Sequence, residues 1–103
     1  MEAALKAIAE PRRRRILRLV ADEELSAGAI ASHFEVSRPA VSQHLKVLRE
    51  TDLVSERRDG RRRFYRARPE PLGEIQEYLA SLWSSSLVRL KDAVEGEERS
   101  ERG

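Results

Sequence analysis

The chain has 103 residues, of which 20 are Lys or Arg, 18 are Asp or Glu and 2 are His, for a net charge of +2. That length suits one small domain with one modest core, and no run approaches the roughly 18 consecutive apolar residues of a membrane span. Cysteine is absent, which excludes disulfides, thiolate metal sites, iron–sulfur clusters and a thiol nucleophile. Two histidines, His33 and His44, do not make a histidine-rich metal site, so neither a metal nor a cofactor is expected. The N-terminal stretch MEAALKAIAEPRRRR places its positive charges after a weakly apolar segment, the reverse of a secretory signal. A soluble, cytoplasmic protein without membrane insertion is the expectation.

The small net charge hides a strong pattern. Residues 12–68 hold 15 basic and 8 acidic side chains, whereas residues 69–103 hold 4 basic and 8 acidic ones. The excess is densest in Arg12 to Arg15 and between Arg57 and Arg68, where seven Arg accompany one Asp. A basic middle followed by an acidic end suits a polyanion-binding face joined to a solvated tail. Arg outnumbers Lys 17 to 3, which favours bidentate contacts with phosphates and base edges. A GC-rich genome produces the same ratio, so the clustering carries more weight.

A short helix is expected over about residues 2–10, with Leu5 and Ile8 on one face and Glu10-Pro11 ending it. Pro11 opens a second helix, over about 11–22, where its missing N–H costs nothing. Ile16, Leu17 and Val20 point inward at helical spacing, with Arg13 on the same side. Among Arg12 to Arg15, one or two are expected on phosphate, and Arg13 or Arg14 in an internal ion pair. Asp22-Glu23-Glu24 breaks the pattern, and Ser26 is the N-cap of a third helix reaching Phe34, with Ile30, Ala31 and Phe34 inward.

Ser37 is the N-cap of a fourth helix, about 37–50, and Pro39 is tolerated in its first turn. Val41, Leu45 and Leu48 recur at i, i+4 and i+7 as its buried stripe. At roughly 100° per residue, Pro39, Gln43 and Lys46 fall on the far side, with Ser42 at the flank. His44 borders the buried stripe, which leaves a packing role and a DNA contact both open. His33, beside Phe34, reads as structural or surface. From Leu53 the period changes: Leu53–Arg58 and Arg61–Ala67 flank Asp59-Gly60, a two-residue hairpin signal. Seven solvated arginines in twelve residues repel one another unless an anion joins them.

Pro69 and Pro71 mark a boundary. One long helix is expected over about 70–94, with Leu72, Ile75, Leu79, Leu82, Trp83, Leu90 and Val94 along one stripe. Ser86 falls inside that stripe, where a small side chain lets a partner backbone approach. Such a helix is longer than this domain can cover with its own core. Trp83 reads as interface core. Ser84-Ser85-Ser86 lacks a nucleophile-elbow context and a nearby base. Residues 95–103 are expected to be a charged, disordered tail, leaving 1–94 as the domain.

The fold class is therefore mainly α with a small β-hairpin: a winged helix-turn-helix. The helix over about 37–50 would enter the major groove. There Arg38 can reach a guanine edge and Gln43 an adenine edge, while Ser37, Ser42 and Lys46 bind phosphates. The wing, about 53–67, would carry Arg57, Arg58, Arg61, Arg62 and Arg63 along the backbone or into the minor groove.

Three segments carry a family resemblance. Glu10-Pro11-Arg12-Arg13-Arg14-Arg15-Ile16-Leu17 resembles an Asp-Pro-Thr-Arg-…-Ile-Leu opening motif. Ser37-Arg38-Pro39-Ala40-Val41-Ser42-Gln43-His44-Leu45-Lys46-Val47-Leu48 resembles a recognition helix, and Gly60-Arg61-Arg62-Arg63-Phe64-Tyr65 a wing. These are similar to the ArsR/SmtB family of bacterial winged-helix repressors, over roughly residues 3–92. The resemblance implies a homodimer held by the first and last helices, with Leu5, Ile8, Leu72, Ile75, Leu79, Leu82, Trp83, Ser86 and Leu90 at its interface. It also implies double-stranded operator DNA, an inverted repeat, as partner. The inducing signal stays open between a small molecule, a protein and none.

Departures from the family narrow the branch. Where the arsenic-sensing members have Glu-Leu-Cys-Val-Cys, this chain has Glu24-Leu25-Ser26-Ala27-Gly28. The zinc-sensing members use a last-helix His, and no His follows His44. Metal and thiol sensing are not carried over, which leaves an autorepressor-like branch. At Thr51-Asp52, where the family commonly has Ala-Gly, Asp is expected to accept the same left-handed turn. Two other readings compete: a protein-interaction or antitoxin-type winged-helix module, and a sequence-neutral nucleic-acid binder. The first needs an exposed apolar patch outside the dimer face and the second favours Lys-rich tails. An enzyme is not expected, since no phosphate loop, metal motif or catalytic carboxylate pair is present.

Overall fold

A computed structural model describes residues 1–82, 84 and 88–102. Helix α1 (Glu2–Ala9) stops where Glu10 turns extended, at φ −85° and ψ 124°, because a following proline disfavours helical backbone in the residue before it. Glu10 then caps α2 (Pro11–Leu19), its carboxylate accepting the Arg13 backbone N–H at 3.0 Å. The helix ends before the expected residue 22, at Val20. Among the described residues Arg13 and Arg14 do not make the expected internal ion pair. Arg13 Nε donates to the Ala7 carbonyl at 2.6 Å, and Arg14 Nη1 to those of Ile8 and Ala9 at 2.8 and 2.9 Å. The end of α1 has no glycine cap, and these guanidiniums satisfy carbonyls that a helix end leaves without partners.

Strand β1 (Leu25–Ser26) precedes α3 (Ala27–Ala31). Ser26 caps α3 as expected, accepting the Ala29 N–H at 3.1 Å. The helix is shorter than read from the sequence, because His33 and Phe34 bond back to Ile30 and Ala31, three residues away, and the chain tightens into a turn. Ser37 caps α4 (Arg38–Glu50), accepting the Ala40 N–H at 3.3 Å, with Pro39 in the first turn. At the far end Asp52 adopts φ 59°. Leu53 N–H reaches the Leu48 carbonyl at 2.9 Å and Asp52 N–H that of Arg49 at 3.1 Å. This pair of bonds is a Schellman motif closed by two fully buried leucines, Leu48 and Leu53. Asp52 fills the left-handed position at the modest strain that a short polar side chain allows.

Strands β2 (Val54–Asp59) and β3 (Arg62–Ala67) form the wing, and the sheet order is β1-β3-β2, all antiparallel. Asp59 pairs with Arg62, so the two-residue loop is Gly60-Arg61, one position beyond the Asp59-Gly60 expected. Gly60 has φ 62°, and among non-glycine described residues a positive φ occurs at Asp52 alone. A left-handed first position followed by an ordinary second one matches a type II′ turn.

The chain divides into two units, Met1–Leu72 and Gly73–Gly103. In the first, Ile16, Val20, Ile30, Leu48 and Leu53 are fully buried, with Ala7, Leu17, Val41, Leu45, Val54 and Tyr65 around them. Every inward position expected on the second and fourth helices is buried. Of the helix expected over 70–94, the described residues form α5 (Pro69–Leu82) and α6 (Val88–Arg102). The helical backbone of α6 runs through most of the segment expected to be a disordered tail. That segment is rich in Glu and Arg, which are good helix formers, and a Lys91–Glu95 pair at 3.9 Å supports its start. Ile75 is buried, whereas Leu79, Leu82, Leu90 and Val94 are exposed. Trp83 and Ser86 lie outside the described residues. The architecture is a mainly helical winged helix-turn-helix with a small antiparallel sheet.

Candidate nucleic-acid interface

The face of α4 opposite its buried stripe presents Arg38, Pro39, Ser42, Gln43 and Lys46 to solvent, and Ser37 stands exposed at its cap. Lys46 has one weak partner on its own helix, Glu50 at 4.0 Å. An open cleft of about 410 Å³ runs beside this face, walled by Pro39, Ser42, Gln43, Lys46 and Arg49 from α4 and by Arg63 and Tyr65 from β3. The exposed helix and the wing therefore border one surface, hydrogen-bonding at the helix and cationic at both sides.

What holds the wing against α4 is a contact the sequence reading did not contain. Glu56 on β2 accepts Arg49 Nη1 at 2.8 Å and the Tyr65 hydroxyl at 3.1 Å, on the same carboxylate oxygen. Its side chain is 11% exposed. Burial pushes the Glu56 carboxyl up, but the hydrogen bonds from Arg49 and Tyr65 and the charges of Arg49 and Arg63 outweigh it and hold the carboxyl below its ordinary range. Burial, and then the Glu56 charge, raise the Tyr65 hydroxyl. The available signal was strand alternation: Glu56 is cross-strand from Tyr65 and an acid in the middle of an arginine-rich hairpin.

The wing arginines divide into two groups. Arg57 is bound by Glu24, with Nη2 at 2.6 Å and Nε at 3.1 Å, and lies 4.7 Å from the Phe64 ring centre. The hydrogen bond from Arg57 holds Glu24 below the usual carboxylate range. Arg58 approaches Glu56 at 3.5 Å, and Arg68 approaches Asp52 at the same distance. These carboxylates supply part of the anionic partner that the sequence left missing. Toward the tip, Arg61, Arg62 and Arg63 are exposed and make no ion pair with a carboxylate among the described residues. Arg62 rests its guanidinium on the Phe64 ring at 5.1 Å.

His44, left open between packing and a DNA contact, lies half-buried beside the start of α2. Its side chain is 17% exposed and its Nδ1 points at Glu10 of the α2 cap, 3.9 Å away. That nitrogen is buried without a hydrogen-bond partner. Burial of Glu10 is outweighed by the Arg13 N–H and by the His44 and Arg12 charges, so its carboxyl is lowered. Arg12 pairs loosely with Glu10 at 3.9 Å, and Arg15 lies 4.9 Å from the centre of Phe34. His33 is exposed in the turn before α4. Leu5 and Ile8 are half-buried and Leu72 likewise. No group of three or more potential metal ligands occurs among the described residues.

The sequence matches the family "Bacterial regulatory protein, arsR family" over residues 10–56. It is 38% identical over 96 residues to the HTH-type transcriptional regulator Rv2034 of Mycobacterium tuberculosis, covering 93% of this chain and 90% of that protein. It is 40% identical over 65 residues to the transcriptional repressor SdpR of Bacillus subtilis, covering 63% of this chain and 72% of the other. A solved structure titled "Possible transcriptional regulator for arsenical resistance" superposes with a TM-score of 0.76 at 43% identity, covering 86% of this chain and 93% of that one. These relatives are regulators of transcription, not enzymes. By sequence over nearly its whole length and by fold, the chain belongs to the ArsR family of bacterial regulatory proteins.

Proposed function

We propose that the protein is a sequence-specific, homodimeric DNA-binding repressor that acts in the cytoplasm on an inverted-repeat operator of its own or an adjacent operon. The observation that carries this reading is the exposed Ser42-Gln43-Lys46 face of α4 beside a wing whose tip residues Arg61, Arg62 and Arg63 are exposed and make no ion pair among the described residues. Recognition by α4 in the major groove sets Gln43 on an adenine edge, with Ser37, Ser42 and Lys46 on phosphates. Arg38 and Pro39 enter at the start of the helix, and Arg58, Arg61, Arg62 and Arg63 follow the backbone or the adjacent minor groove. Arg57 and His44 stand at the margin of this set, because Glu24 and Glu10 already face them. The exposed Leu79, Leu82 and Leu90 supply the apolar surface that a second copy covers. The domain comprises residues 1–94. Without cysteine, the thiolate chemistry of arsenic sensing has no donor here, so the reading is a repressor outside the metal-sensing branches.

Gln43→Ala tests the placement of α4. The expected cost is about 1–3 kcal/mol with relaxed preference at one operator position, measured by binding to duplexes that differ at single base pairs. An equal loss on every duplex removes Gln43 from base reading.

A further inference from the structure

Arg38 does not extend away from the protein in the manner expected of a base reader. Its guanidinium lies back over the start of α3, so close that a Cβ placed on Gly28 would sit 3.5 Å from Arg38 Nη2. There it enters a cleft of about 290 Å³ whose other walls are Ser26, Ala27 and Gly28 on one side and Arg61, Arg62 and Arg63 on the other. No acidic residue lines this cleft. In the wing Arg57, Arg58 and Arg68 each have a carboxylate, whereas Arg38 and Arg61 make no ion pair among the described residues. Arg62 spends the flat face of its guanidinium on Phe64, which leaves the N–H edge to other uses. Four arginines line this one cleft, their mutual repulsion is relieved when an anion enters, and the guanidinium fork is matched to phosphate oxygens.

Gly28 has no positive φ that would require glycine. A Cβ there would meet Arg38 Nη2 at ordinary van der Waals distance, so a methyl fits and a larger side chain is what would fill the floor beneath Arg38.

We infer that this cleft seats one phosphate of the DNA backbone, clamped between Arg38 at the start of α4 and the arginines of the wing tip. The inference rests on the DNA-binding reading above and changes the role of one residue in it. Arg38 becomes a sequence-neutral clamp that ties the helix and the wing to a single phosphate, and base discrimination falls to Gln43 and its neighbours.

The test uses the full chain, as wild type, Arg38→Ala and Gly28→Val. Probes are the duplex upstream of the protein's own gene, its single-base variants, and a random-sequence duplex. Arg38 is exposed and unpaired, so its removal leaves the fold intact; circular dichroism melting checks both variants. Arg38→Ala is expected to weaken binding roughly tenfold on every duplex, random sequence included. It is also expected to flatten the slope of log affinity against log salt by about 0.9, the share of one phosphate. Gly28→Val keeps every charge, fills the floor of the cleft, and is expected to give the same loss. A loss confined to one base position under Arg38→Ala overturns the clamp in favour of base reading. Folded Gly28→Val binding at wild-type strength overturns it as well. If the wild type shows no preference for the upstream duplex, sequence specificity fails while the random duplex still decides the clamp. No binding of any duplex overturns both.

Discussion

Glu56 shows how much one carboxylate organises at the interface. It joins the last turn of α4, through Arg49, to the wing, through Tyr65, and so fixes these two elements relative to each other. Its folded-state pKa is depressed below the ordinary value. The stabilisation is therefore fully present above the unfolded carboxylate pKa, roughly 4.3, and is lost as pH falls through the lower folded value. Glu56→Gln is expected to cost about 1–3 kcal/mol near neutral pH, as befits hydrogen bonds to a charged group. Its melting temperature should also fall less steeply below about pH 4.5 than that of the wild type. Identical acid limbs in the two melting curves would show that the carboxylate charge does not support the fold. Such a residue is invisible to helix periodicity, because its partners lie on two other elements. By contrast Ser37, Ser26 and the Val41, Leu45, Leu48 stripe were legible, since a cap and a heptad-like spacing are local signals.

At the scale of elements, legibility followed length and period. Helix α4 has thirteen residues with caps at both ends and was bounded closely from sequence. Strand β1 has two residues, too few to show alternation, and exists because Leu25 and Ser26 pair with Tyr65 and Phe64. The hairpin is legible in the sequence, but Asp-Gly, a stronger turn signal than Gly-Arg, points to a loop one residue early. The register that decides the matter depends on pairing along the whole strand. The apolar stripe of the last expected helix falls on α5 and α6. That stripe still leaves Leu79, Leu82 and Leu90 exposed at 47%, 39% and 59%. Leu79→Glu with Leu82→Glu removes little internal packing, so a folded chain is expected. If these residues form the dimer, the pair should yield a monomer by sedimentation and lose operator affinity, since one protomer reads one half-site. A folded double variant that remains dimeric moves the interface elsewhere.

Across the whole molecule, the acidic side chains are not scattered at random against the basic ones. Glu24, Glu56 and Asp52 each stand beside an arginine of the wing, while Arg38, Arg61 and Arg62 make no ion pair among the described residues. A net charge of only +2 therefore coexists with a locally cationic surface, which is what attracts a polyanion without general stickiness. No helix among the described residues is long and apolar enough to cross a membrane. The sequence made the polyanion-binding face legible through charge clustering. It could not show which arginines are internally paired, because those partners lie up to 33 residues away in the chain. Sequence-specific reading of DNA by this surface is tested most directly by comparing affinity for the duplex upstream of the protein's own gene with affinity for a random duplex, across a salt series. The expected result is a preference of about 10³-fold or more, with both affinities falling steeply as salt rises. Equal affinities at every salt concentration would contradict it.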